Sequence, residues 1–192
     1  MSQDLGVLRL WLAMAGTYAD WGEASMRFRP ASIDDAPFIS RLVVAAWRDA
    51  YGGFLPASQL ASLAENPHHD RGSWEGRIGE PAAVTSILSD ELGKDVGVLR
   101  VTDASSIPRT DGELTTLYLL PQARGRGLGS EAVTFARAEA SRRGRRRLGF
   151  CVLEGNERGQ RFYERLGARP IGERIAFRWE DRPILELLYR FY

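Results

Sequence analysis

The chain has 192 residues, 44% of them hydrophobic and 27% charged, which bounds it to an ordinary globular protein of one domain with room for a real core. Its 26 Lys and Arg against 25 Asp and Glu leave a net charge of +1, so no global attraction to nucleic acid or to an anionic membrane is expected. One cysteine, Cys151, excludes an intrachain disulfide and fits a reducing compartment.

Residues 5–15 form the most apolar run near the start, shorter than the roughly 18 residues a membrane span needs. Arg9 interrupts the run, and Asp4 precedes it where a signal peptide carries positive charge. Ala13-Met14-Ala15 has the form of a cleavage site, but the flanks argue against one, and the chain reads as cytoplasmic without a membrane partner. Residues 1–25 read as an N-terminal extension, either an over-extended start before Met26 or a helix packed on the domain. Residues 26–192 read as a single domain.

Met26-Arg27-Phe28-Arg29-Pro30 reads as a first strand. Ser32 and Asp35 form a capping-box-like helix start, and Pro37 is tolerated in the first turn. Phe38, Leu42 and Ala46 then share one helical face, widened by Ile39, Val43, Trp47 and Ala50, up to Gly52-Gly53. A short helix follows Pro56 with Leu60 and Leu63, and residues 65–81 read as a polar loop. Residues 82–88 and 96–101 read as two strands joined by a turn over 90–95 containing Gly93. After a polar loop over 103–112, residues 114–120 form a buried strand stopped by Pro121. A glycine-rich turn, an alanine-rich helix over 130–143, a buried strand over 148–153 and a helix over 156–166 come next. Ile175, Phe177 and Trp179 alternate as a strand, residues 180–183 turn, and residues 184–191 close the chain as a last strand. Mixed strands, helices and hairpins argue for an α/β or α+β layered fold.

The turn Gln122-Ala123-Arg124-Gly125-Arg126-Gly127-Leu128-Gly129-Ser130 lies between a strand and a helix. The first N–H groups of a helix have no partner within it, and the helix dipole favours an anion in front of them. Gly125, Gly127 and Gly129 allow phosphate oxygens to approach the backbone, while Arg124 and Arg126 add charge and donors. An ATP-type loop ends in Gly-Lys-Ser/Thr, but this one ends in Gly129-Ser130-Glu131. A dinucleotide fingerprint needs Gly-x-Gly-x-x-Gly, which Gly125, Gly127 and Gly129 do not match, so Glu154 is a weak candidate for a ribose-binding acid.

Arg124-x-x-Gly127-x-Gly129 resembles the Arg/Gln-x-x-Gly-x-Gly/Ala turn of GNAT-type N-acetyltransferases. The strand from Gly112 to Pro121 resembles that family's central strand. Asn156-Glu157-Arg158-Gly159-Gln160-Arg161-Phe162-Tyr163-Glu164 resembles its Asn-x-x-Ala-x-x-Phe-Tyr-Glu helix. Trp47-Arg48-Asp49-Ala50-Tyr51 with Gly53 and Pro56 resembles its opening helix, so the likeness runs in order over residues 26–192. Gly159 stands where the family usually has alanine, a change that loosens a helix by about 1 kcal/mol, and Ala168 stands where it usually has phenylalanine.

The resemblance implies a GNAT-like, largely antiparallel sheet with one splayed parallel strand pair, flanked by helices. It implies acetyl-CoA as co-substrate and no metal. Leu117 and Leu119 would offer backbone to the pantetheine arm, Arg124, Gly125, Arg126, Gly127, Leu128, Gly129 and Ser130 would hold the phosphates, and Asn156 would contact the cofactor or cap its helix. A lysine-like amine with a pKa near 10.4 is mostly protonated at neutral pH, so a base or water chain helps it react. The resemblance implies Glu113 for that role, against an exposed strand-end acid as the plain alternative. It implies Tyr163 as the acid that protonates the departing thiolate, against a core aromatic.

The run Arg142, Arg143, Arg145, Arg146 and Arg147 reads first as a solvated helix end, with contact to the CoA 3′-phosphate open. Cys151 reads as a buried small apolar residue, and His68 and His69 lack metal-ligand spacing. Trp47, Tyr51, Phe54 and Trp74 read first as packing residues, with a place in the wall of the acceptor cleft open for some of them. Acyl transfer to an amine of a small molecule, a peptide N-terminus or a lysine is the leading expectation, and a non-catalytic acyl-CoA-binding sensor or scaffold is the alternative. A nucleic-acid binder using the arginines is disfavoured by the near-neutral charge. The acceptor and the oligomeric state, a homodimer included, are not legible from residues alone.

Overall fold

The computed structural model describes residues 26–62, 71–179 and 181–192. The N-terminal extension and the His68-His69 pair lie outside the described residues. Seven strands form one sheet: β1 (Arg27–Pro30), β2 (Ala83–Ser89), β3 (Asp95–Thr102), β4 (Gly112–Leu119), β5 (Leu148–Leu153), β6 (Arg169–Trp179) and β7 (Arg182–Arg190). Their spatial order is β1-β2-β3-β4-β5-β7-β6, and β4–β5 is the one parallel pair among otherwise antiparallel neighbours. The helices are α1 (Ala36–Tyr51), α2 (Ala57–Ser62), α3 (Arg71–Ile78), α4 (Leu128–Arg142) and α5 (Glu157–Arg165).

The centre of the sheet, at β2 and β3, is buried on both faces, which is why β3 reads as a near-continuous apolar run rather than an alternating one. On one face, Ile39, Leu42 and Val43 of α1 and Trp74 of α3 pack against Ile87 and Val98. On the other, Leu128, Ala132, Val133, Ala136 and Ala140 of α4 cover Leu99, Val101, Leu114, Leu148 and Phe150. The alanines allow α4 to lie close to the sheet, and Phe162, Tyr163 and Leu166 of α5 extend the same layer.

Most expected elements recur with shifted ends. Asp35 reaches back to the Ser32 N–H at 2.7 Å, so the acidic half of the expected capping box is present ahead of α1. The hairpin between β2 and β3 turns on Asp90, whose Oδ1 accepts from the N–H groups of Leu92 and Lys94 at 3.1 and 3.0 Å, and on Gly93 at φ 76°. Two expectations are corrected. The polar stretch over 65–81 contains the helix α3, which is polar except for Trp74, 1% exposed, and Ile78, so its periodicity is too sparse to see in sequence. The strand around Ile175–Trp179 begins at Arg169 and has register shifts between Pro170 and Gly172 and between Ile175 and Phe177, which blur its alternation.

Candidate active site

The parallel pair is very short. Gly112 pairs with Leu148 and Glu113 with Gly149, and no further residues of β4 and β5 pair with each other. Beyond that apex the strands diverge, with β4 staying on β3 and β5 on β7. A register shift between Arg100 and Val101 leaves Thr115 as an extra residue in β4, a bulge that bends the strand at the point of divergence. The edge of β4 facing β5 therefore presents backbone groups that an extended ligand can pair with, Leu117 and Leu119 among them.

Pro121 stops β4 and starts a 3-10 turn over Pro121–Ala123. Gly125 at φ 74° and Gly127 at φ 83° then bring the chain round, with Gly127 as the N-cap of α4. Side chains rarely adopt these angles, and a Cβ at either position would point into open space. The N–H groups of Ser130 and Glu131 bond back to the Gly127 carbonyl, whereas those of residues 125–129 donate to no other described residue. The result is a set of main-chain donors at the positive end of a 15-residue helix, open on one side.

The arginines of the turn are already engaged. Arg124 Nε donates to the Leu119 carbonyl at 3.2 Å, and its guanidinium is paired with Asp49 of α1, which also accepts from Arg158 of α5 at 3.0 Å. These two cations hold the Asp49 carboxyl below its ordinary range. Arg124 thereby ties the end of β4 to α1 and α5, and Arg126 is paired with Glu91 in the β2–β3 turn. Gly129 lies against Phe162, whose ring would be 3.1 Å from a Cβ there.

Asn156 caps α5, accepting from the Gly159 N–H at 2.9 Å. A Cβ at Gly159 would stand 2.7 Å from the Asn156 amide, so a side chain there would shift the cap. Burial drives the Tyr51 phenol upward in pKa, and Asn156 counters it. Tyr163 packs on Phe150 at 4.2 Å between centroids, and burial of its phenol raises its pKa, as does the nearby Tyr51. Tyr118 sits on the opposite face, accepting from Trp47 Nε1 at 2.7 Å, and is influenced by both Tyr51 and Tyr163. Burial thus raises the pKa of all three phenols, from α1, β4 and α5.

Glu113 lies at the apex, half-buried. Its Oε2 accepts from the Ser106 N–H at 2.9 Å, Ser106 Oγ at 3.1 Å and Ser105 Oγ at 3.3 Å. None of the hydrogen bonds among the described residues reaches Oε1. The loop carrying these serines crosses the apex because Gly149 has no side chain: a Cβ there would stand 2.9 Å from Thr110 and 3.0 Å from Ile107. Arg174 of β6, Glu186 of β7 and Cys151 of β5 share this face. Cys151 is not in the apolar setting expected. It is 3.5 Å from Arg174 Nη2, and burial, with Glu186 adding to it, pushes its thiol up to about 12. Ser105, Ser106, Arg174 and Glu186 carry no motif, so sequence reading did not single them out.

Other candidates have structural roles. Glu154 accepts from the Leu185 N–H at 3.3 Å. Arg142, Arg143 and Arg147 are paired with Glu139, Asp103 and Asp111, at the end of α4 far from the turn. A 15-residue helix is about 22 Å long, so this run lies a helix length away from the turn. A cavity of about 560 Å³ lined by Arg137, Arg145, Arg146 and Tyr192 lies at that same end, and none of Glu113, Asn156, Tyr163 or residues 124–130 lines it. Among the described residues, no group of three or more His, Cys, Asp and Glu side chains is arranged to hold a metal, and no helix is long and apolar enough to cross a membrane.

The Acetyltransferase (GNAT) family profile matches residues 44–168. A comparison with curated proteins gives no match. Among solved structures, the chain is similar to the PaiA N-acetyltransferase of Thermoplasma acidophilum in complex with coenzyme A, with a TM-score of 0.66 and 17% identity over 85% of this chain and 98% of that one. It is similar to a GCN5-related N-acetyltransferase from Rhodopseudomonas palustris, with a TM-score of 0.70 and 16% identity over 88% and 96% of the two chains. It is also similar to a variant spermidine N-acetyltransferase from Vibrio cholerae, with a TM-score of 0.61 and 15% identity over 87% and 93%.

Proposed function

The chain belongs to the acetyltransferase (GNAT) family and is an acyltransferase, and from that premise we propose that it moves an acetyl group from acetyl-CoA directly to an amine. The observation that carries this reading is the divergence of β4 from β5 directly before a turn with free main-chain donors. The N–H groups of residues 125–129 hold the diphosphate, with the open faces of Gly125 and Gly127 giving it room. The pantetheine arm lies along β4 at Leu117 and Leu119, whose backbone donors polarise the thioester carbonyl as it gains negative charge.

An amine arrives on the face of Glu113, Arg174 and Glu186, where two carboxylates and one guanidinium leave an excess of negative charge that attracts a protonated amine. Glu113 Oε1, directly or through water, takes the proton that the ammonium must lose. The nitrogen lone pair attacks the thioester carbon, the C–S bond breaks, and the CoA thiolate leaves. Tyr163, kept neutral by burial, gives that sulfur its proton and is reprotonated by the second proton that the acylated nitrogen sheds on becoming an amide. Asn156 caps α5 and so holds Tyr163 in place. The acceptor is a small-molecule or peptide amine bound between the loop over 103–111 and the segment after α1.

The test is thiol release from acetyl-CoA with the purified protein across polyamines, amino acids, aminoglycosides and peptide N-termini. Turnover with at least one amine is expected. Tight CoA binding without turnover on any of them would favour a non-catalytic acyl-CoA sensor, and absence of CoA binding would reject the assignment of the turn.

A further inference from the structure

Glu113 does not stand alone at the apex. Among the described residues, all hydrogen bonds to its carboxylate fall on one oxygen, Oε2, and all come from Ser105 and Ser106. Those serines belong to a loop, and a loop needs an anchor to aim a carboxylate. Ile107, 2% exposed, seats one side of it on Gly149. Thr110 Oγ1 adds bonds to Ser105 Oγ at 2.6 Å and to the Ile107 carbonyl at 2.8 Å.

The other anchor comes from 68 residues away. Arg174 Nη1 donates to the Ser106 carbonyl at 3.2 Å and to Ser106 Oγ at 3.1 Å. Its Nε donates to Glu186 Oε1 at 2.5 Å, which sets the plane of the guanidinium. A hydroxyl has one proton. Because Ser106 Oγ accepts from Arg174, that proton is free to go to Glu113 Oε2, and the hydroxyl rotor has one arrangement that satisfies both neighbours. The groups near Glu113 are then the Arg174 guanidinium from β6 and the neutral Cys151 thiol from β5, with Glu186 from β7 paired to Arg174.

We propose that Arg174, held by Glu186 and acting through Ser106, is a positioning residue that locks Glu113 with Oε2 occupied and Oε1 turned toward the acceptor amine. The inference rests on the reading of Glu113 as the group that takes the amine proton. Arg174 does not touch the cofactor or the reacting atoms. Its planar fork reaches the Ser106 carbonyl, the Ser106 hydroxyl and Glu186 together, a set that the point charge of lysine cannot match.

The test combines steady-state kinetics on Arg174→Gln, Glu113→Gln and the double variant, using an amine found by the thiol-release screen, with hydrogen exchange of the Ser106 amide. Arg174→Gln is expected to lower kcat/KM for the amine about tenfold with the acetyl-CoA KM within twofold. It is also expected to speed Ser106 amide exchange about tenfold. In the Glu113→Gln background, Arg174→Gln is expected to add nothing, because there is no carboxylate left to aim. Losses that multiply in the double variant, or unchanged kinetics in Arg174→Gln while Glu113→Gln is impaired, would overturn the proposal. Full activity in Glu113→Gln would instead refute the proton-accepting role of Glu113. Ser106 exchange in Arg174→Gln would then still report whether Arg174 holds the loop, and unchanged exchange would reject that as well.

Discussion

Replacing Gly127 separates backbone strain from ligand chemistry. The residue sits at φ 83° and ψ −17° as the N-cap of α4, and a Cβ added to it meets no atom within 4 Å. Alanine therefore costs only the left-handed conformation, about 1–2 kcal/mol. At roughly 2–4 °C per kcal/mol for a chain of this size, Gly127→Ala is expected to lower Tm by about 2–8 °C. That strain is present with and without ligand, so CoA affinity should fall no more than a few-fold. Glutamate carries the same strain and also puts a carboxylate over the donors. Against a phosphate charge about 5 Å away at an effective dielectric of 20, the repulsion is about 3 kcal/mol. Gly127→Glu should therefore weaken CoA binding roughly a hundredfold more than Gly127→Ala, with a similar Tm. Isothermal titration with CoA and thermal melts of both variants read the two terms separately. Equal CoA affinity in Gly127→Glu and Gly127→Ala would show that no phosphate sits at the turn.

Tyr163→Phe retains the ring packing on Phe150 and Phe162 but removes the phenolic proton, so kcat should drop at least tenfold with the acetyl-CoA KM nearly unchanged; an unaltered kcat would remove Tyr163 from the reaction. Gly159→Ala should gain about 1 kcal/mol by helix propensity alone, but the new Cβ displaces the Asn156 cap 2.7 Å away, so Tm is expected to stay level or fall. A clear rise in Tm would mean that the cap contributes little. The Asp35 carboxyl is held below its ordinary 3.8 chiefly by its hydrogen bonds to Arg29. The folded state thus binds this proton less readily than the unfolded chain, and the stabilisation is present above about pH 4 and lost as pH falls through the lowered folded-state value. Urea titrations from pH 6 to pH 2 should show a shallower acid loss in Asp35→Asn than in the parent, and identical slopes would contradict the sign of the shift.

Local chemistry made much of this protein readable from residues alone. Gly125 and Gly127 announce a turn that needs left-handed backbone, Pro121 announces the end of β4, and the alanines of α4 announce a helix lying close to a sheet. Those signals are short-range and depend on a few neighbouring residues, so spacing along the chain captures them. The order Trp47–Tyr51, residues 112–121, the turn and Asn156–Tyr163 carried the likeness to the acetyltransferase family, which the match over residues 44–168 bears out.

Tertiary structure decided what lies across the sheet. The Thr115 bulge and the two-residue pairing of β4 with β5 are properties of register, which no single strand encodes. The helix α3 is fixed by burial of Trp74 against Val98 and Ile87, a long-range contact that overrides a polar sequence. In the fold Arg124 also joins Asp49 to the Leu119 carbonyl, a tie across 75 residues that the turn's own sequence does not announce. The loop, Arg174 and Glu186 converge on Glu113 only because β6 and β7 return beside β5. Sequence thus determined which backbone conformations were available at each turn, because those follow from residues a few positions apart. Which distant charges meet at the apex was settled by strand order and register, since the energies that hold them together exist only once the sheet has formed.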